Sequence, residues 1–122
     1  MSKELEKFGK IFISHVRDNT IHHYKKSLYG KKSVLHNKNF TSLNNEEKQI
    51  MENIVMETID LTMFNLLNMF EEYSENLKLV YKDTKDIEYN IEEISGGIMG
   101  ELFTEDGWIA KFSKYEESSP YK

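Results

Sequence analysis

Apolar residues are patterned most densely between Asn45 and Tyr73, in the run NEEKQIMENIVMETIDLTMFNLLNMFEEY. At about 100° per residue, Met51, Val55, Thr58, Ile59, Thr62, Leu66, Met69, Phe70 and Tyr73 gather on one face of a helix over 45–73, while Asn53, Glu57, Asp60 and Glu71 mark the other. The polar side is narrow, because Ile50, Leu61, Phe64 and Leu67 flank or interrupt it. A helix apolar nearly all round is normally buried. The pattern therefore predicts that both sides are covered, with the Met51–Tyr73 face turned to the core. Asn44 followed by Glu47 has the logic of a capping box at its start.

A first helix over 4–29 follows from Leu5, Phe8, Phe12, Val16 and His23, which recur at spacings of three and four. Ser2 is its candidate N-cap, and Tyr29-Gly30 its stop, with Lys25 and Lys26 suited to the negative end of the helix dipole. Gly9 is a small cost within it. Residues 31–41 read as a loop pinned by Val34, Leu35 and Phe40, long enough to be a candidate mobile segment. Beyond Ser74-Glu75-Asn76 the period changes. Leu77, Leu79 and Tyr81 alternate, Asp83-Thr84-Lys85-Asp86 supplies turn chemistry, and Ile87, Tyr89 and Ile91 alternate again, which predicts a hairpin over 77–91 with Val80 out of phase. An isolated hairpin is marginal in water, so its Leu/Tyr/Ile face should lie on the helices. Residues 94–115 read as short helices and turns, with Trp108, Ile109 and Phe112 spaced as in a short amphipathic helix. A second hairpin around Asp106-Gly107 is the alternative, and 116–122 reads as a frayed tail. Assembled, these elements predict a single domain over 1–122 of the α+β class, mainly helical. Two long antiparallel helices carry a short β-hairpin and a compact helical or turn-rich C-terminus.

Composition narrows the setting. A chain of 122 residues is one domain by length. No stretch reaches the roughly 18 apolar residues of a membrane span, and MSKELEKFGK carries charges where a signal peptide is apolar. The expectation is a cytoplasmic protein. The absence of cysteine removes disulfides, thiolate zinc sites and cysteine nucleophiles. Ala110 is the only alanine, beside many Lys, Asn, Ile and Glu, as in AT-rich bacterial genomes. Residues 1–40 carry a net +6 and residues 41–122 a net −11. Such a split suits either a basic arm for nucleic acid or two faces that attract one another within the fold or across a dimer.

The candidate chemistry lies in the first helix. His15, Asn19 and His23 stand at i, i+4 and i+8 in its apolar stripe, with His22 at the edge. A row of this kind could bind a small ligand or metal or move protons, since histidine titrates near neutral pH. A metal site in a bundle also needs inward carboxylates, whereas the inward polar residues expected of the second helix are Thr58 and Thr62. The alternative is a hydrogen-bonded row in which His15 and Asn19 meet those threonines. Gly96-Gly97-x-x-Gly100 lacks the Lys and Ser/Thr of a phosphate loop, and no nucleophile elbow is present. No cofactor is expected. Arg17, Lys25, Lys26, Lys31 and Lys32, interleaved with Tyr24 and Tyr29, supply a nucleic-acid reading, which the acidic remainder of the chain opposes.

The segment GELFTEDGWIAKFSKY, Gly100 to Tyr115, resembles the C-terminal ends of small bacterial proteins of unassigned role, and the whole chain resembles immunity proteins that neutralise bacterial toxins. The resemblance implies an acidic face docking on a basic toxin, compatible with Glu92, Glu93, Glu101, Glu105 and Asp106. It transfers no functional residue. The expected function is a non-catalytic protein-interaction module, with a ligand or metal site on the His15/Asn19/His23 row as the alternative and nucleic-acid binding through the basic N-terminal region as the third reading. If Ile50, Leu61, Phe64 and Leu67 stay uncovered, they form an apolar patch suited to a homodimer.

Overall fold

The computed structural model describes residues 2–29 and 42–115. The expected loop over 31–41, the glycine stop at Gly30 and the expected tail over 116–122 lie outside these residues. The fold is mainly helical α+β, as the patterning predicts. The first helical rod consists of α1 (Lys3–Phe12), a π-helical segment (Ile13–Asp18) and α2 (Asn19–Tyr29). The second, α3 (Asn45–Glu72), runs antiparallel to it, as shown by contacts from Arg17 to Asp60 and from Lys25 to Glu52. Strands β1 (Val80–Lys82) and β2 (Glu88–Asn90) pair in register Val80↔Asn90, Tyr81↔Tyr89 and Lys82↔Glu88. Short helices follow at α4 (Ile91–Ser95), a 3₁₀ turn (Ile98–Glu101) and α5 (Trp108–Phe112). α5 stands where the spacing of Trp108, Ile109 and Phe112 predicts a helix, and no second hairpin forms among the described residues.

Local chemistry accounts for the ends of these elements. Ser2 Oγ accepts the Leu5 amide at 3.3 Å, which satisfies one orphan donor of α1. At α3 both halves of the capping box are made: Asn44 Oδ1 accepts from the Glu47 amide at 2.8 Å, and Glu47 Oε1 accepts from the Asn44 amide at 2.9 Å. The hairpin turn is built on Asp83, whose Oδ1 accepts from the amides of Lys85 and Ile87 and whose Oδ2 accepts from the Tyr89 hydroxyl. Those backbone donors, that from Ile87 foremost, hold the Asp83 carboxyl below its ordinary range.

The principal core brings Leu5, Phe12 and Ile13 of the first rod against Met63 and Leu67 of α3, with Ile91, Ile98, Leu102, Trp108 and Ile109 closing it from the C-terminal side. Leu79, just before β1, and Tyr81 within it pack on the core, while Val80 stands exposed, as its phase requires. Gly9, a cost by propensity alone, is the notch that admits Trp108: a Cβ there would meet the indole ring at 2.5 Å. The ring is fully buried, edge-on to Phe8 and Phe12, and its Nε1–H has no acceptor among the described residues. At Gly107 a Cβ would lie 2.6 Å from the carbonyl oxygens of Leu102 and Phe103, so the loop before α5 closes only on glycine.

Two expectations about facing are overturned. The first concerns the leading rod. Through the π segment the Asn19 amide donates to the carbonyls of Ser14, five residues back, and of Val16. A turn of this kind adds one residue to the helical repeat. The inward row accordingly passes from Leu5, Phe12 and Ile13 to Arg17, Ile21 and Leu28; Arg17 stands one position after the expected Val16, and Val16 and His23 are exposed. The second concerns α3, where Asp60, Met63 and Leu67 face inward. Thr58, Thr62, Leu66, Met69 and Tyr73 of the expected core face are exposed, and Met51, Val55, Ile59 and Phe70 are half-buried. α3 presents to the core the side that its carboxylates had marked as polar, because one of those carboxylates has a buried cation to meet.

Candidate functional site

Arg17 is fully buried, and its guanidinium forks onto Asp60, also buried, with Nε 2.6 Å from Oδ1 and Nη2 3.1 Å from Oδ2. The remaining edge reaches the residues after α5: Nη1 donates to Ser113 Oγ at 2.7 Å and to the Tyr115 carbonyl at 2.8 Å. Asp18, next in sequence, accepts from the Ser113 hydroxyl through Oδ1 and from the Lys114 amide through Oδ2 at 3.0 Å. Ser113 Oγ in turn accepts from the Tyr115 amide at 3.1 Å. Two adjacent residues of one helix can both face inward here because the π segment widens the turn that carries them. The result is a dense polar cluster joining the first rod, α3 and the C-terminal segment. Arg17 is the only arginine in a chain with 15 lysines, and its planar fork is the geometry that a buried bidentate pair requires.

Breaking such a pair by removing one partner costs about 3–5 kcal/mol, whereas replacing both with apolar groups is often neutral. The cluster therefore supplies specificity: it fixes which face of each rod turns inward. It presents no open nucleophile or substrate face. Its serine hydroxyl, both carboxylates and guanidinium are engaged with one another and with backbone.

The predicted site residues fall elsewhere. His15, Asn19, His22 and His23 are all exposed, with the rings of His22 and His23 6.0 Å apart. Thr58 and Thr62, the partners expected for the row, donate to the carbonyls of Ile54 and Thr58 within α3 instead. No group of three or more His, Cys, Asp or Glu side chains is placed to hold a metal ion among the described residues. Of the basic residues, Arg17 is committed to Asp60, and Lys25 bonds Glu52 at 3.1 Å while lying 5.1 Å from the centre of the Tyr115 ring. Lys31 and Lys32 lie outside the described residues. Among the four interface candidates, Leu67 belongs to the chain's own core and Phe64 is half-buried beside Phe103, which leaves Ile50 and Leu61 exposed at 53% and 60%.

The feature that sequence reasoning placed on the wrong side is the apolar surface of α3. Ile54, Leu66, Met69 and Tyr73 are exposed along it together with Ile50 and Leu61. Between Ile50 and Phe70 the helix carries only three charged residues, Glu52, Glu57 and Asp60. Asp60 is turned inward and Glu52 pairs with Lys25. Glu57 borders the arc at Leu61, by the 100° repeat. No helix among the described residues is long and apolar enough to cross a membrane, so this surface is not part of a helical span. Searches against protein-family models, curated proteins and solved structures find no match to this chain.

Proposed function

We infer that this chain is a non-catalytic protein-interaction module whose working surface is the outer face of α3. The observation that carries the reading is the exposure of Ile54, Leu61, Leu66, Met69 and Tyr73 on one uncharged arc of the longest helix. Contiguous apolar surface of this kind marks sites of protein association. The polar cluster supports the same reading, since it spends the buried charged groups on fixing α3 and leaves none facing a substrate. A toxin-immunity role, implied by the resemblance of the whole chain to immunity proteins, is one specific form of this module. It would draw on Glu93, Glu105 and Asp106, which stand exposed near α4 and α5.

The test is a photo-crosslinking residue placed at Leu66 in the full chain at its natural abundance. A protein adduct at that position, absent when the probe stands at Glu105 and lost when Leu61→Glu is added, is the expected result. An unmodified chain at Leu66, with the probe shown to be intact, contradicts the reading.

A further inference from the structure

We propose that the partner seated on the outer face of α3 is a second copy of this chain, packed antiparallel about a two-fold axis at Thr62. The proposal rests on the interaction-module reading and names the occupant of that surface.

Spacing gives the first reason. Counted from Thr62, the uncharged arc holds Thr58 and Leu66 at four residues on either side, Val55 and Met69 at seven, and Met51 and Tyr73 at eleven. These intervals of three and four keep side chains on one stripe of a helix. Reversing the helix about Thr62 therefore lays Met51 over Tyr73 of the other copy, Val55 over Met69 and Thr58 over Leu66. Every layer but the central one, where Thr62 meets its own copy, joins unlike partners. The N-terminal members Met51 and Val55 are half-buried and recessed, whereas the C-terminal members Leu66, Met69 and Tyr73 protrude. A surface with shallow positions on one side of its centre and projecting positions on the other is complementary to its own reversed copy.

Charge gives the second reason. In a two-fold interface each group near the axis meets its own copy, so a charge there faces a like charge. A heterologous partner sets no such condition. In a chain of net charge −5 whose residues are 30% charged, the stripe from Met51 to Tyr73 is free of charge.

Size gives the third. The 22 steps of helix from Met51 to Tyr73 span about 33 Å, and Ile54 and Leu61 widen the stripe. A paired helix face of that length is of the scale of a stable interface, which takes roughly 800 Å² from each partner. Burying it would also resolve the mismatch between a helix that is apolar nearly all round and described residues that cover one side of it.

Sedimentation equilibrium on the full chain tests the proposal, with a dimer expected. Because the chain has no cysteine, Thr62→Cys introduces one thiol at the axis. Mild oxidation should link most of that variant into covalent dimers, while Glu105→Cys stays unlinked. Should Thr62→Cys fold poorly, Asn65→Cys, exposed one turn along, replaces it. Leu66→Glu should yield a monomer that retains the parent's helical circular dichroism. A parent that stays monomeric at high concentration overturns the proposal, as does a thiol at position 62 that links no faster than one at position 105. A monomeric parent whose probe at Leu66 captures a different protein overturns the dimer and leaves the interaction module standing.

Discussion

The two faces of α3 differ in a way opposite to their polarity. The inner face contains a charged residue, Asp60, and is buried with Met63 and Leu67. The outer face is uncharged from Met51 to Met69, with Glu57 only at its border, yet it leaves Ile54 and Leu61 more than half exposed. Burial follows hydrophobicity when a helix has one apolar side. Where both sides are apolar, the side with a specific partner wins. Arg17 supplies that partner, and the π segment from Ile13 to Asp18 delivers Arg17 to it.

The sharpest way to break the comparison is to remove the cation. Arg17→Met strands Asp60 and also withdraws donors from Ser113 and Tyr115, with an expected loss of about 3–5 kcal/mol in urea unfolding. Adding Asp60→Leu should recover a large part of that loss, because the remaining carboxylate is then no longer buried without a cation. A double variant as unstable as the sum of the single ones would mean that the two residues act independently.

Gly9→Ala acts on the other anchor of the inner face. Its Cβ would meet the Trp108 ring at 2.5 Å, so the overpacking cost of about 1–3 kcal/mol should exceed the gain in helix propensity of about 1 kcal/mol. A variant more stable than the parent would show that the ring can retreat. Ser113→Ala removes a hydroxyl that bonds Arg17, Asp18 and the Tyr115 amide. A loss of about 1–3 kcal/mol is expected for groups left unsatisfied in a buried site, with accelerated amide exchange at Lys114 and Tyr115.

How far the sequence discloses this arrangement depends on whether the controlling interaction is local. The capping box at Asn44, the turn at Asp83 and the short helix at Trp108 are set by residues within a few positions of one another, and each forms where the sequence predicts it. The facing of the two rods is set by Arg17 and Asp60, which are 43 positions apart. A regular 3.6-residue repeat continued through 13–18 places His15, Asn19 and His23 on the inner row. The single added residue of the π segment turns them outward and brings Arg17, Ile21 and Leu28 in. One signal was available: a lone arginine among 15 lysines stands where only a planar fork suits the partner.

Smaller effects are expected where neither face is involved. Glu6 accepts from Lys111 at 2.8 Å, and that bond with its charge holds the Glu6 carboxyl below its ordinary range; Asp83 is lowered by its turn donors. For a carboxylate lowered in the folded state, the stability it contributes is present above the unfolded pKa and is lost as pH falls through the folded one. Both groups lie at the surface, half-buried and within reach of solvent, so the effect is slight. Glu6→Gln and Asp83→Asn should each lower stability slightly near neutral pH and flatten the acid limb of the stability curve, with no difference from the parent once pH falls below the folded pKa. An unchanged acid limb in both would show that these bonds do not persist in solution.

The facing of α3 is tested most directly by two methionines of the same helix. Met63 is 2% exposed on the inner face and Met69 is 38% exposed on the outer one. In the Leu66→Glu variant, which would remove the proposed self-association, brief treatment with hydrogen peroxide followed by peptide mass spectrometry should find Met69 oxidised on the order of tenfold faster than Met63, since attack on the thioether follows access. Equal rates, or Met63 oxidised first, would mean that α3 turns its other face inward and that the Arg17–Asp60 pair does not set it.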